Sequence, residues 1–231
     1  MDVRAVLTDV AGLGPFFAIG TGTAEAGERA VADLHADPQP LRERIAHVRG
    51  ALGTDRRVAA SLAFQGLAAH LVSAPYAAAV LHGPVPALTP ADLYWHRGAD
   101  GGWVWRTDAS GLADAAALPG LLDGLLAPLV AAVRAQVPVS ERLLWGNAAS
   151  ALAAAKRLVA AQRPAAAARA AEVARDLLGG GALAGTGELL PPRGRDHTWT
   201  FRRRSCCLYY RVPGGGLCDD CVLSPVARRP R

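Results

Sequence analysis

All four cysteines of this 231-residue chain lie in one short stretch near the C-terminus, Ser205 to Cys221, which reads SCCLYYRVPGGGLCDDC. Cys206 and Cys207 are adjacent, ten residues follow, and Cys218 and Cys221 form a Cys-x-x-Cys pair. Four thiolates can bind a tetrahedral zinc ion or supply the ligands of an iron–sulfur cluster. The spacing therefore predicts a metal site that uses all four cysteines.

The adjacent pair of cysteines bears on which metal is bound. Structural zinc sites typically use two separated Cys-x-x-Cys pairs, and this chain has one. Side chains of successive residues point in opposite directions on an extended backbone, so Cys206 and Cys207 suit the two irons of a cluster better than one zinc ion. A local turn could instead bring both to one iron, and the sequence leaves these two arrangements open. We favour a cluster over zinc, and zinc over free or disulfide-bonded thiols.

Composition indicates a globular chain rather than a disordered one, with 51% hydrophobic and 19% charged residues. The N-terminus lacks the basic segment and continuous apolar run of a secretory signal. The longest apolar run, at 124–133, is too short to span a bilayer. We therefore expect a cytoplasmic protein, with at most peripheral association with the inner face of the membrane. In the cytoplasm, cysteine clusters bind metals or do redox chemistry more often than they form disulfides.

The rest of the chain supplies the elements that must position these cysteines, and most of it has helical patterns. The expected fold class is α+β and predominantly helical: a helical body with a small antiparallel β element and a C-terminal iron–sulfur module. Caps and apolar periodicity predict helices at 23–36, 41–49, 54–72, 115–136, 141–162 and 164–178.

Alternating aromatic and polar residues around a glycine-rich turn predict a β-hairpin at 93–107. Further short strands are predicted at Trp199–Arg202 and Leu208–Val212. The stretch 183–196 is rich in glycine, proline and charge, which is typical of a linker. We accordingly expect a mainly helical body at 1–190 and a metal-binding cysteine module at 191–231.

The cysteine motif also carries a family resemblance. The pattern CC-x10-C-x2-C, with Leu208–Arg211 and the glycine-rich turn inside it, resembles the signature of the FhuF-like ferric-siderophore reductases, whose C-terminal motif holds a 2Fe–2S cluster. Two upstream segments, Arg57–Ser61 and Leu143–Ser150, are also similar to that family. The resemblance extends from about Arg56 to Cys221.

This resemblance implies an oxidoreductase that passes one electron from a 2Fe–2S cluster to a ferric siderophore of the hydroxamate type and releases ferrous iron in the cytoplasm. Hard oxygen donors hold ferric iron more tightly than ferrous iron, so one electron loosens the complex. Outer-sphere transfer needs no general acid or base, and we expect no catalytic residue beyond the cluster. The sequence has no dinucleotide-binding fingerprint, which favours an external electron donor such as a ferredoxin or a flavin-dependent reductase.

Several residues are candidates for contact with the substrate or the electron donor. Arginines flanking the cysteines could meet an acidic donor, although a solvated strand edge explains them equally well. The paired tyrosines suit an apolar lid over the cluster, and a tryptophan and an asparagine on the 141–162 helix suit core packing or a pocket wall. Tryptophans of the hairpin, Trp95, Trp103 and Trp105, suit cross-strand packing or an aromatic wall for a ligand. The candidates are Arg202, Arg203, Arg204, Arg211, Tyr209, Tyr210, Trp145 and Asn147.

A second functional class remains open at this point: a non-enzymatic 2Fe–2S or zinc protein that carries electrons or acts as a sensor. Nucleic acid is not an expected partner, because the arginines are scattered and no helix-turn-helix is evident. About two hundred residues of helical body favour a pocket for a bulky substrate over a simple carrier.

Overall fold

The computed structural model describes residues 2–99, 101–191 and 200–224. Within these ranges the chain is predominantly helical with small sheets, which confirms the predicted fold class. The helices are α1 (Val3–Ala11), α2 (Asp33–Ala36), α3 (Gln39–Leu52), α4 (Arg56–Leu81), α5 (Leu118–Gln136), α6 (Glu141–Gln162) and α7 (Ala167–Gly179). The strands are β1 (Gly20–Thr21), β2 (Arg29–Ala30), β3 (Val85–Pro86), β4 (Leu93–Arg97), β5 (Trp103–Thr107), β6 (Leu112–Ala113), β7 (Gly187–Leu190) and β8 (Thr200–Arg203).

The strands form small sheets. A four-stranded sheet has the order β1-β5-β4-β2, in which β1 runs parallel to β5 and the other neighbours are antiparallel. β3 pairs with β6, and β7 pairs with β8, both antiparallel. The predicted hairpin at 93–107 is therefore confirmed as β4 and β5, with Trp95 opposite Trp105.

Helix α4 is the centre of the core. The Asp55 carboxylate accepts hydrogen bonds from the backbone N–H groups of Arg57 and Val58, both at 2.9 Å, and caps the helix. Beyond this cap, 18 of the 26 residues of α4 are buried, and many of them are alanines that allow close helix packing. α4 packs along α6 and also contacts α3 and α5. A helix that is apolar on all sides belongs in a core, and α4 takes that place.

Two helical segments are long and apolar enough to cross a membrane by length and composition alone. They are Arg56–Leu81, whose most apolar window is 72% buried within the protein, and Ala115–Gln136, for which that share is 39%. Neither segment is an uninterrupted apolar run, which is the pattern on which the prediction from sequence rested. Core helices of globular proteins pass the same test, and the burial of α4 fits that explanation.

The structure corrects three local predictions. Most of 23–36 is not helical, because Gly27 adopts a positive φ of 91° and turns the chain so that Arg29–Ala30 pairs with β4. The predicted strand at Leu208–Val212 is a 3₁₀ turn over Tyr209–Arg211. Part of the predicted linker, Gly187–Leu190, is strand β7.

The proposed boundary between body and module, at 190 and 191, falls between β7 and its partner β8. β8 covers most of the strand predicted at Trp199–Arg202, although Trp199 itself lies outside the described residues, as do 192–198.

Candidate metal centre

The cysteine loop follows β8 directly and is tied at two points. Arg204 N–H donates a hydrogen bond to the carbonyl of Thr186, at 2.7 Å, where β7 begins. Arg203 N–H donates to the carbonyl of Asp220, at 3.2 Å, inside the Cys-x-x-Cys turn. The β7–β8 pair therefore holds both ends of the cysteine motif against each other.

The four thiols belong to one loop, two buried and two half-buried, and the charges of neighbouring thiols act on Cys206 and Cys218. The Sγ atoms of Cys207 and Cys218 are 3.6 Å apart. Two thiolates on one tetrahedral metal with bonds of about 2.3 Å are about 3.8 Å apart, so this pair already has the spacing of a shared metal. In the described ranges no three His, Cys, Asp or Glu side chains converge on one point. A two-iron cluster holds its four thiolates in two pairs, one pair on each iron, and the described residues show one pair at that spacing, Cys207 and Cys218.

Backbone N–H groups point at the sulfurs. Leu208 N–H donates to Cys206 Sγ at 3.3 Å, Leu223 N–H donates to Cys221 Sγ at 3.4 Å, and Tyr209 N–H donates to Cys207. Leu208 has a positive φ of 69°, which is strained for a residue with a side chain. A left-handed residue turns successive N–H groups toward the same side and forms an anion-binding concavity of the kind found at iron–sulfur sites.

The electrostatics of the loop favour a thiolate at Cys207. The pKa of Cys207 is lowered to about 6, chiefly by the hydrogen bond from the Cys218 thiol, and also by the N–H of Tyr209 and the charge of Arg203. The same sulfur contact raises the pKa of Cys218, and burial raises that of Cys206. The guanidinium of Arg203 is only 1% exposed, and its charge favours the thiolate form of all three.

A buried hydrogen-bond network joins this arginine to the two central helices. Arg203 Nη2 donates a hydrogen bond to the side-chain oxygen of Asn147. Arg203 Nε donates a second one to the carbonyl of Ser205, at 2.9 Å. The Asn147 side-chain amide donates to the carbonyl of Ser61 at 2.8 Å and to Ser61 Oγ at 3.0 Å. The Ser61 hydroxyl in turn donates to the carbonyl of Cys207 at 2.7 Å. Residues of α4, α6 and β8 thus fix the position of the first two cysteines.

A second set of contacts holds the Cys-x-x-Cys turn against α6. The Asp220 carboxylate is buried; one oxygen accepts from the Ser150 hydroxyl at 2.5 Å, and the other pairs with Arg157 at 3.1 Å. Close to these contacts α6 carries Gly146, where an added Cβ would lie 2.1 Å from Ser205 Oγ. The absence of a side chain at Gly146 therefore lets the cysteine loop approach the helix.

Comparison with protein families gives two matches. The family described as a ferric iron reductase, FhuF-like transporter, matches residues 77–198, which is more than half of the chain. The chain belongs to the FhuF-like ferric iron reductase family. The FhuF 2Fe–2S C-terminal domain matches residues 203–223 and contains all four cysteines. These matches confirm the suspected family and a 2Fe–2S cluster as the cofactor. A search of curated proteins finds no match.

The structure separates the predicted substrate and partner residues of this FhuF-like protein by their exposure to solvent. Arg203 and Asn147 are buried together beneath the cysteine loop. Tyr210 is 49% exposed, and Arg204 and Arg211 are exposed in ion pairs with Glu188 and Asp55. Two further candidates, Arg202 and Tyr209, are half-buried.

The remaining candidate, Trp145, is buried and lines a small apolar cavity beside α5 and α7 that includes no cysteine. Sequence reasoning missed the supporting roles of Ser61, Gly146, Ser150 and Asp220. The signal for three of them was present, because Ser61 ends one upstream segment of the family resemblance, and Gly146 and Ser150 lie in the other.

Proposed function

We propose that this FhuF-like protein reduces ferric siderophores of the hydroxamate type in the cytoplasm and releases ferrous iron there, with Cys206, Cys207, Cys218 and Cys221 as the cluster ligands. The family match gives the ferric reductase role in general terms. The observation that supports the ligand assignment is the arrangement of the loop: two sulfurs at the spacing of a shared metal, backbone N–H donors on three of the sulfurs, and the buried Arg203, whose charge acts on three of the thiols. This donor set fits a 2Fe–2S cluster.

The bound cluster supplies single electrons. The ferric ion of the substrate gains one electron and becomes ferrous, and the hydroxamate oxygens then hold it more weakly. The protein's own residues hold and tune the site: the N–H groups of Leu208, Tyr209 and Leu223 stabilise negative charge on sulfur, and Arg203 offsets part of the charge of four thiolates.

We propose an external protein as the source of the electron, either a ferredoxin or a flavin-dependent reductase. Around the cysteine loop, Tyr210, Leu217 and Leu223 are exposed apolar side chains, and Arg204 and Arg211 are exposed cations. This patch of exposed apolar side chains and arginines suits an acidic redox partner, whose carboxylates would take the place of Glu188 and Asp55 in the ion pairs with Arg204 and Arg211.

The decisive experiment uses anaerobically purified protein. We expect a red-brown protein whose colour bleaches with dithionite, with an electron paramagnetic resonance signal in the reduced state. With a low-potential donor it should convert a ferric hydroxamate siderophore to ferrous iron, measured with a ferrous-specific chelator. Cys206→Ser is the matched variant, and it should lose or shift the spectrum and lose the reduction.

Two outcomes would contradict the proposal. A colourless protein with bound zinc and no acid-labile sulfide would exclude the cluster. An intact cluster that does not reduce any ferric siderophore would support an electron carrier or sensor instead. An unchanged spectrum in Cys206→Ser would exclude the four-cysteine ligand set.

A further inference from the structure

Two cavities meet beside the cysteine loop. The larger, about 570 Å³, lies between α3, α4, β5 and the turn at Pro15–Phe17, and its volume is typical of a small-molecule site. The smaller, about 270 Å³, lies between α4 and α6 and is lined at one end by Cys218. Phe16 and Gly66 line both cavities, so the cavities adjoin there, and we refer to the pair as the groove, with Cys218 in the lining of the smaller cavity and the hairpin in that of the larger.

The wall of the larger cavity is a series of neighbouring rings. The ring centroids of Phe16 and His70 are 4.9 Å apart, those of His70 and Trp105 5.6 Å, and those of Trp105 and Trp103 5.9 Å. Phe16 is 42% exposed, and two other exposed apolar side chains, Val104 and Leu158, also line the groove. Exposed apolar side chains gathered in one groove mark a binding surface rather than ordinary solvent-facing structure.

Polar atoms in this wall lack partners among the described residues. Trp105 is only 3% exposed, and its indole Nε1 has no hydrogen-bond acceptor in the described part of the chain. Nδ1 of His70 also has no hydrogen-bond partner among the described residues. Burial lowers the pKa of His70 to about 4, so its ring is neutral near pH 7. The wall therefore presents aromatic rings and a neutral imidazole to the cavity.

The charges that line the groove balance. Arg106 pairs with Glu28 at 3.1 Å and Arg157 pairs with Asp220 at 3.1 Å. The other charged lining residues, Arg44 and Asp219, have opposite sign. A ferric tris-hydroxamate is neutral, because three singly charged ligands balance the ferric ion, whereas a ferric tris-catecholate carries three negative charges. A groove without net charge does not compensate such an anion.

We propose that this groove is the siderophore-binding site, and that it takes a neutral ferric tris-hydroxamate with its organic scaffold against Phe16, Trp103 and Trp105 and its ferric centre toward Cys218. This inference rests on the proposed function, whose electron must reach the substrate at the cysteine end. It also gives the aromatic hairpin a role in binding in addition to its packing.

The test measures binding without reduction. The probe is ferrichrome loaded with gallium(III), a neutral tris-hydroxamate whose metal does not accept the electron, titrated calorimetrically into the oxidised holoprotein. Gly66→Leu should fill the point where the cavities meet, since a Cβ at Gly66 meets no atom closer than 3.8 Å and the variant removes no existing contact. Its dissociation constant should rise at least tenfold.

The matched control is Gly124→Leu, the same change at a helical glycine of α5 with open space around it. It should bind as the wild type does, and both variants should keep the wild-type cluster spectrum. If Gly66→Leu does not fold, Phe16→Ala, which removes an exposed side chain, should weaken binding at least threefold. A gallium tris-catecholate should bind the wild type at least tenfold more weakly than the neutral complex.

The outcomes separate the site from the function. Unchanged binding in Gly66→Leu, or in Phe16→Ala if that variant is needed, in a protein that still reduces ferric siderophores would overturn the groove and leave the reductase function standing. If the wild type binds the probe but does not reduce the iron complex, and Gly66→Leu loses the binding, the groove would be supported and the reductase function refuted. A tris-catecholate that binds as tightly as the tris-hydroxamate would refute the assignment by charge. A wild type that neither binds nor reduces would overturn both proposals.

Discussion

At the scale of single residues, Arg203 differs from the other arginines near the cysteines. The sequence presents Arg202, Arg203 and Arg204 as one basic run, but only the middle side chain is buried, on the side of the strand that faces α6. Its guanidinium is held by Asn147 and Ser205, and its charge acts on three of the four thiols. A buried charge is weakly screened, so Arg203 should influence the reduction potential more than an exposed arginine does.

We predict that Arg203→Gln lowers the midpoint potential by about 60 mV or more, which corresponds to a tenfold change in the equilibrium of a one-electron couple. Loss of the buried positive charge makes the more negative reduced state less favourable. The measurement is a redox titration followed by electron paramagnetic resonance. Arg204→Gln is the control, because Arg204 is half-exposed and paired with Glu188, and it should shift the potential much less. A potential that is equal to or above the wild-type value in Arg203→Gln would contradict this role.

At the scale of elements, the cysteine loop depends on two helices that are distant in sequence. Ser61 and Cys207 are 146 positions apart, and Ser150 and Asp220 are 70 apart. Both helices present small residues to the loop, and the fit is closest at Gly146. The helices therefore set the position of the cysteines, and a single added methyl group at the contact should disturb them.

We predict that Gly146→Ala makes the cluster labile while the helices remain folded, because the new Cβ takes the place of the Ser205 hydroxyl. Ser205→Ala should restore the cluster in the double variant, since the two Cβ atoms would then be 3.5 Å apart, an ordinary contact. The measurements are the cluster absorbance during incubation with an iron chelator and the far-ultraviolet circular dichroism spectrum. The control, Gly124→Ala on α5, has open space and should stabilise the protein by about 0.5–1 kcal/mol. Equal cluster lifetimes in the single and double variants would contradict the close contact.

Local patterns in the sequence predicted some of these elements well. The helix at 141–162 and the hairpin at 93–107 were predicted correctly, because caps, periodicity and turn residues act over a few positions. The path of the chain through 23–36 and through 208–212 was predicted wrongly, because it depends on positive φ angles at Gly27 and Leu208. The cysteine ligands could be recognised from their spacing, whereas the network below them joins residues that only the tertiary fold brings together.

At the scale of the whole molecule, two surfaces reach the cysteine loop. Cys218 lines the smaller cavity of the groove, whereas the patch consists of Tyr210, Leu217 and Arg211, exposed within the cysteine loop, and Leu223 and Arg204, exposed just beyond its ends. A reductase needs one access for its substrate and one for its donor, and these two surfaces can fill the two roles. The roles make opposite demands on charge, because the groove suits a neutral ligand and the patch suits an acidic protein.

We predict that the rate of cluster reduction by an acidic ferredoxin falls as salt is added, because positive charge at the patch speeds the encounter and salt screens it. Arg211→Gln should lower that rate at low salt by about threefold, and the difference should disappear at high salt. The measurement is stopped-flow absorbance of the cluster. Arg4→Gln is the matched control, since it removes one exposed positive charge from α1, and it should leave the rate unchanged. The reduction potential of Arg211→Gln should also stay close to that of the wild type, which separates donor docking from driving force. A rate that does not depend on salt, or equal effects of the two variants, would exclude this patch as the docking site.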